Sequence, residues 1–203
     1  LATPQGPLEC ALHIAGRHNV TNAQAAAACA LAAGVPLDAI ARGLSAFAPV
    51  KGRSRALGVC CGEHTVTVVD DSYNANPDSM HAAIEVLAEL PAPRLLVLGD
   101  MGEVGDQGPQ FHAEAGAHAR ARGIERLYAL GTLSRHTAKA FGTATHFDDM
   151  ASLLAAVRQA LPEVGSVLVK GSRFMKMEQV VEAMVATAQE QQQPAAAGAG
   201  GVQ

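Results

Sequence analysis

The chain has 203 residues, of which 49% are hydrophobic and 17% charged, which is enough apolar sequence for the core of one full domain with additional segments. Its net charge is -4 and its sequence pI is about 6.0. Aromatic residues make up 3% of the chain, and tryptophan is absent. The basic stripe and the base-stacking surface of a nucleic-acid-binding protein are therefore not expected.

The first 50 residues are predicted to be the end of one domain. Asn22 or the preceding Thr21 can cap an alanine-rich helix, and Gly34 can end it. The uncharged stretch over residues 18–37 is broken by polar residues, so no membrane span is expected. The predicted elements here are a strand at 8–14, a turn at 16–19 and helices at 23–33 and 37–47.

The segment PVKGR at residues 49–53 is predicted to be a domain boundary, because Pro and Gly separate a helical block from a strand-rich one. Short apolar strands then alternate with helices. This pattern predicts an α/β domain over residues 51–188, with an open, mostly parallel sheet and helices on both faces. Residues 189–203 are predicted to be a disordered tail. Strands are predicted at 56–61, 65–70, 94–98, 126–130, 145–147 and 166–169, and helices at 77–90, 109–122, 133–141, 148–161 and 174–189.

Four cysteines occur, and none stands in a CxxC pair. This argues against zinc ligands and disulfides, and we predict small buried hydrophobic side chains in a reducing compartment. The cysteines are Cys10, Cys29, Cys60 and Cys61.

Ligands of open α/β sheets bind at the carboxyl ends of the strands, and polar residues collect at those ends here. Of the pair Asp70-Asp71, a carboxylate can accept ribose hydroxyls or hold a metal-bound water, or cap the following turn. Lys170 and Arg173 can meet a phosphate or carboxylate, or form a solvated strand end.

Two further segments have both a functional and an ordinary interpretation. The glycine-rich loop at 99–108 carries Asp100 and Glu103, and it is either a substrate loop or a flexible connection. His18-Asn19 with Asn22 offers donors and acceptors to a purine edge, or forms a turn with a helix cap. The P-loop GxxxxGK[ST], a GxGxxG fingerprint after the first strand, GxSxG and HExxH are all absent from the printed sequence.

Five segments in order resemble the Mur ligases. They are GRHNVTNA at residues 16–23, PVKGR at 49–53, DDSYNANP at 70–77, LGDMGEVG at 98–105 and VKGSR at 169–173. The YNANP and LGDM elements resemble the branch of the family that adds D-alanyl-D-alanine to UDP-N-acetylmuramoyl-tripeptide.

The resemblance implies three domains: one for the UDP-sugar peptide, a central ATP-binding domain with the P-loop, and a Rossmann-like last domain. Residues 1–50 would be the end of the central domain. We therefore expect a part of a longer cytoplasmic, monomeric enzyme, inactive alone, with its missing domains as partners. ATP and Mg²⁺ would be its cofactors, with the metal ligands mostly in the central domain and none predicted here.

The resemblance also implies site residues, although no complete catalytic set. The residues expected to bind ATP are His18, Asn19, Asn22, Arg53, Asp71, Tyr73, Asn74 and Asn76. The residues expected to bind D-Ala-D-Ala are Asp100, Glu103, Lys170, Ser172 and Arg173. Three alternatives remain: a Mur-type ligase for another amino acid, a stand-alone nucleotide- or anion-binding module, and a dehydrogenase-type domain.

Overall fold

The computed structural model describes residues 1–62 and 64–192. Its main body is a six-stranded sheet. The strands are β3 (Arg55–Cys61), β4 (His64–Asp71), β5 (Arg94–Gly99), β6 (Arg126–Leu130), β7 (Thr145–Phe147) and β8 (Ser166–Lys170). Their spatial order is β3-β4-β8-β5-β6-β7, and only the edge pair β3–β4 is antiparallel. The predicted open, mostly parallel α/β sheet is confirmed.

Helices cover both faces of this sheet. One face packs against α3 (Pro77–Ala88), α4 (Gly108–Ala121) and α5 (Ser134–Phe141). The other packs against α6 (Met150–Ala160) and α7 (Glu178–Gln192). The central strand β8 is buried along its whole length, as expected for a parallel strand with helices on both sides.

The N-terminal segment forms a smaller unit. It contains a short hairpin of β1 (Ala2–Thr3) and β2 (Gly6–Pro7), followed by α1 (Arg17–Ala32) and α2 (Leu37–Ser45). Its core consists of Leu8, Ala27 and Ile40. No helix among the described residues combines the length and apolar character needed to cross a bilayer.

Two predictions for the N-terminal segment are wrong. Residues 8–14 are not a strand: only Leu8 has a backbone partner of this kind, Leu1 at the end of the short hairpin, and its side chain packs among the two helices. The helix predicted at 23–33 begins at Arg17, because Gly16 takes a φ of 97° and Asn19 N already donates to its carbonyl at 3.0 Å. His18 and Asn19 therefore lie in the first turn of α1 and not in a preceding turn.

The last helix also differs from its predicted bounds. It begins at Glu178 and not at residue 174, because residues 173–175 form a 3₁₀ turn that Lys176 ends with a left-handed φ of 51°. Residues 189–192 continue α7, so the predicted disordered tail does not begin at 189. The remainder of that prediction, residues 193–203, lies outside the described part of the chain.

The prediction of buried cysteines holds for one position only. Cys61 is buried, and burial raises the pKa of its thiol. The other three cysteines, Cys10, Cys29 and Cys60, are exposed. Two of them lie outside the main sheet, and Cys60 alternates with Cys61 on the edge strand β3, so its side chain falls on the opposite face.

Candidate functional site

A cleft of about 510 Å³ lies between the N-terminal helices and the carboxyl edge of the sheet. All eight residues expected to bind ATP line it, although they come from segments up to 58 positions apart in the chain, from residue 18 to residue 76. Lys170, at the end of β8, lines it as well. The sheet topology brings them together, since parallel strands end at one edge. The eight are His18, Asn19, Asn22, Arg53, Asp71, Tyr73, Asn74 and Asn76.

The first turn of α1 forms one wall of this cleft. Asn19 is buried, and its amide nitrogen donates to Ala15 O at 2.7 Å and lies 3.0 Å from His18 Nε2. Because that amide nitrogen can only donate, His18 Nε2 accepts and the ring carries its proton on Nδ1 when neutral. Asn22 donates to Asn19 Oδ1 at 3.0 Å. Asn19 thus holds His18 and Asn22 in fixed positions in the wall.

The opposite wall contains a buried ion pair. Lys170 Nζ lies 2.6 Å from Asp71 Oδ2, and the Lys170 side chain is only 3% exposed. Nζ also donates to Asn74 O at 2.9 Å. The interpretation of Lys170 as a solvated strand end is therefore wrong, because its ammonium is enclosed and paired at the cleft.

The neighbouring carboxylates Asp70 and Asp71 bind different partners. Asp70 is buried and accepts from Gly52 N at 2.9 Å and from the amide and hydroxyl of Ser72. Asp71 accepts through Oδ1 from Ser54 N at 2.9 Å and Ser54 Oγ at 3.2 Å. Asp70 is thus the residue that fixes the turn, and Asp71 is the one at the cleft.

An aromatic and cationic lip borders the opening. The guanidinium carbon of Arg53 lies 4.2 Å from the centre of the Tyr73 ring, and that of Arg173 lies 5.8 Å from it. Tyr73 is 44% exposed. Two guanidinium groups beside one exposed ring can attract an anionic ligand such as a phosphate chain.

The amide residues after β4 also serve the local fold. Asn76 Oδ1 accepts from Ser79 N at 2.8 Å, and Ser79 Oγ accepts from Asn76 N at 3.0 Å, which is a capping box at the start of α3. Asn74 Oδ1 accepts from Ala75 N at 2.8 Å. The predicted cap at Asn76 is confirmed, so both side chains line the cleft while holding its floor in shape.

The residues expected to bind the dipeptide are not gathered in the same way. Only Lys170 lines the cleft. Asp100 is buried, and its two oxygens accept from Leu133 N at 3.1 Å and Ser134 N at 2.7 Å. Its carboxylate is thus committed to the start of α5. Gly131 must be glycine there, since a Cβ would lie 2.5 Å from the Asp100 carboxylate.

The other three members of that set lie around the 99–108 loop. Ser172 Oγ accepts from Gly102 N at 2.6 Å and donates to Ala75 O at 3.2 Å, so it joins three loops. Arg173 pairs with Glu178 at 2.7 Å. Glu103 is exposed and has a left-handed φ of 58°.

Two residues that organise the site were missed by the sequence analysis. Ser54 binds Asp71, and buried His112 binds the backbone of the 99–108 loop. Neither lies in one of the five segments that resemble the family, and their contacts become visible only when the chain is folded. The described residues bring together no group of three His, Cys, Asp or Glu side chains that could hold a metal ion.

Comparison with known proteins shows what the chain is similar to. A family model described as "Mur ligase, glutamate ligase domain" matches residues 52–173. The UDP-N-acetylmuramoyl-tripeptide--D-alanyl-D-alanine ligase of Escherichia coli K12 is 41% identical over 186 residues, which cover 91% of this chain and 40% of the relative. The chain thus spans about 40% of the length of that curated relative.

Solved structures show the same similarity. MurF from Acinetobacter baumannii superposes with a TM-score of 0.80 at 34% identity, covering 91% of this chain and 41% of that one. MurF from Thermotoga maritima, in complex with ADP, superposes with a TM-score of 0.74 at 22% identity, covering 88% of this chain and 40% of that one. At that lower identity the similarity concerns the fold alone.

Proposed function

The chain belongs to the Mur ligase family, and from that premise we propose that it is the C-terminal part of an ATP-dependent ligase of peptidoglycan precursor synthesis. The proposed reaction joins D-alanyl-D-alanine to UDP-N-acetylmuramoyl-tripeptide. The observation that supports it most is the convergence of the eight nucleotide-assigned residues on one cleft. The curated relative at 41% identity carries the name of this activity.

In this proposal the cleft holds the nucleoside part of ATP. His18 and Asn22 offer polar atoms to the purine edge from the first two turns of α1. Asp71 accepts the ribose hydroxyls, which requires that it share or exchange its present donors, Ser54 and Lys170. Arg53 reaches the phosphates from the lip beside Tyr73.

In the proposed chemistry the tripeptide carboxylate takes the terminal phosphoryl group of ATP and ADP is released, because a free carboxylate is a poor electrophile. The dipeptide amine then attacks the resulting acyl phosphate, and an amide bond forms as phosphate leaves. Mg²⁺ would neutralise phosphoryl charge. We assign its ligands mostly to the central domain of the longer protein, as the resemblance to the Mur ligases implies. The part of this chain is to position the nucleotide and to supply cations to the anionic groups.

For the dipeptide, the structure favours some of the assigned residues over others. Glu103 and Arg173 are exposed and suit the ammonium and carboxylate ends. Lys170 lines the cleft and stands two positions before Ser172 in the chain. Asp100 and Ser172 act through the backbone groups that they bind, so we assign them the shaping of this region.

The test is a ligation assay on the longer enzyme that contains this chain, with a panel of amines and UDP-N-acetylmuramoyl-tripeptide as acceptor. We expect phosphate release that depends on D-Ala-D-Ala, and none from the 203-residue chain alone. Preference for a single amino acid would identify another Mur-type ligase. Turnover by the isolated chain would contradict the proposal that the activity needs further domains. We further propose a cytoplasmic monomer, which sedimentation of the longer enzyme checks.

A further inference from the structure

The ring of His112 closes the base of the loop between β5 and α4. Met101 N donates to His112 Nε2 at 2.9 Å, and His112 Nδ1 lies 2.7 Å from Gly108 O. Met101 is the second residue of this loop, after Asp100, and Gly108 is the first residue of α4. His112 is 1% exposed, so both contacts form away from water. One side chain thus joins the two ends of the segment 101–108.

The two contacts determine the protonation state of the ring. A backbone N–H can only donate, so Nε2 accepts from Met101. A carbonyl can only accept, so Nδ1 carries the proton and donates to Gly108. Both bonds exist together only in the neutral Nδ1–H tautomer. Burial favours that neutral form and lowers the pKa of His112 below its ordinary value.

The loop depends on these anchors for its position. Gly102 N donates to Ser172 Oγ at 2.6 Å, and beyond it Glu103 and Gly105 take positive φ values of 58° and 56°. Within the described part of the chain no ion pair holds the Glu103 carboxylate. Its position therefore follows from the backbone fixed at Met101 and Gly102.

We infer that His112 is a positioning residue for the amine substrate: its neutral ring holds the 101–108 loop so that Glu103 meets the dipeptide ammonium, and protonation of the ring releases the loop. This inference rests on the proposed function and adds a pH-dependent control to the dipeptide side of the site. The charged or titratable groups that act on the ring are Asp100, at the loop's start, and His136 on α5.

Protonation releases the loop because it places two hydrogen-bond donors opposite each other. A second proton on the ring sits on Nε2 and faces the N–H of Met101, so one buried hydrogen bond is lost and two donors oppose each other. Asp100 stabilises the cation electrostatically, but burial of the ring opposes its charge more strongly.

Two matched substitutions separate the two ring contacts. Glutamine reaches as far as Nε2 and keeps an acceptor for Met101, whereas asparagine reaches only as far as Nδ1 and keeps a donor for Gly108. Hydrogen exchange on the 203-residue chain should show amides 101–107 exchanging at least about tenfold faster in His112→Asn, and within about threefold of wild type in His112→Gln. His13→Gln, at an exposed histidine of the N-terminal segment, serves as the control and should leave the loop unchanged. Equal loop exchange in wild type and His112→Asn would overturn the inference.

If either variant fails to fold, measurements on the wild-type chain alone can test whether His112 anchors the loop. Nitrogen NMR should show a protonated Nδ1 and an unprotonated Nε2 for His112 at pH 7.5. Loop exchange, corrected for its intrinsic pH dependence, should rise as the ring takes up its proton, while β5 and β6 stay protected. The opposite tautomer, or corrected loop exchange that does not change while the ring titrates, would refute the anchor.

Kinetics of the longer enzyme then test the link to substrate. His112→Asn should raise the KM for D-Ala-D-Ala about tenfold and leave the KM for ATP within about twofold, with His112→Gln restoring most of the dipeptide affinity. A wild-type enzyme that does not ligate D-Ala-D-Ala would refute the proposed function, while the exchange measurements would still decide the anchor. Equal increases in both KM values would show a general structural role and overturn the positioning role.

Discussion

At the scale of single residues, Asp70 and Asp71 show how one step along a strand changes what a carboxylate does. Successive side chains of a strand point to opposite faces, so adjacent residues meet different partners. Asp70 is enclosed by backbone donors of the linker and turn, whereas Asp71 reaches the cleft and Lys170. The residue pattern alone could not decide between them, because both positions carry the same side chain, and only the resemblance to the Mur ligases selected Asp71.

Lys170→Met should lower the free energy of unfolding by about 3 kcal/mol, because it leaves the carboxylate of Asp71 without its buried cation. Urea denaturation followed by circular dichroism measures this. Lys51→Met is the matched control: Lys51 also pairs with a carboxylate at 2.7 Å, but both partners are exposed, so no measurable loss is expected. A loss for Lys170→Met no larger than for Lys51→Met would show that the buried pair contributes nothing.

His112 should make stability depend on pH. Its pKa in the folded chain lies below the ordinary 6.5, mainly through burial, so below about pH 6.5 the unfolded chain binds a proton that the folded chain does not. The contribution of His112 to the free energy of unfolding is therefore fully present above pH 6.5, and it is lost as the pH drops towards the lowered pKa. Denaturation at pH 7.5 and 5.5 should show a smaller pH-dependent loss in His112→Gln than in wild type. An equal loss in both would assign the dependence to other groups.

At the scale of elements, α4 and α5 pack so closely that a glycine is required between them. A Cβ on Gly116 would collide with the backbone carbonyl of Thr137. The contact is formed by backbone, which cannot move aside as a flexible side chain can. The same region carries the loop and the Asp100 contact to the start of α5, so helix packing and site geometry are linked.

Gly116→Ala should destabilise the chain by about 2 kcal/mol, although alanine favours helices over glycine by about 1 kcal/mol. Gly43→Ala is the matched control, since Gly43 also lies within a helix but an added Cβ there would meet nothing within 4 Å. Gly43→Ala should raise the free energy of unfolding by about 0.5–1 kcal/mol. Thermal unfolding of both variants checks the pair, and a stabilised Gly116→Ala would contradict the close packing.

At the scale of the whole molecule, the strands and helices of the sheet domain could be predicted from the sequence. The contacts between segments of the chain could not. The strand and helix alternation after residue 54 gave the sheet class and most element positions, because apolar runs and caps such as Asn76 are local signals. The start of α1 and the false strand at 8–14 depend on packing between segments. The resemblance named eight nucleotide-assigned residues and Lys170, and all of them line the cleft. It did not reveal that Asp100 would be committed to backbone donors, since that requires knowing where α5 begins.

The nucleotide cleft is the central claim, and the kinetics of Asp71→Asn in the longer enzyme test it most directly. The change keeps the shape of the side chain and removes its charge, and Asp148→Asn, at an exposed surface carboxylate, is the control. Loss of a charged hydrogen bond to ribose should raise the KM for ATP at least tenfold. The KM for D-Ala-D-Ala should stay within about twofold, and Asp148→Asn should change neither value. An unchanged KM for ATP in a folded Asp71→Asn enzyme would contradict the assignment of this cleft to the nucleotide.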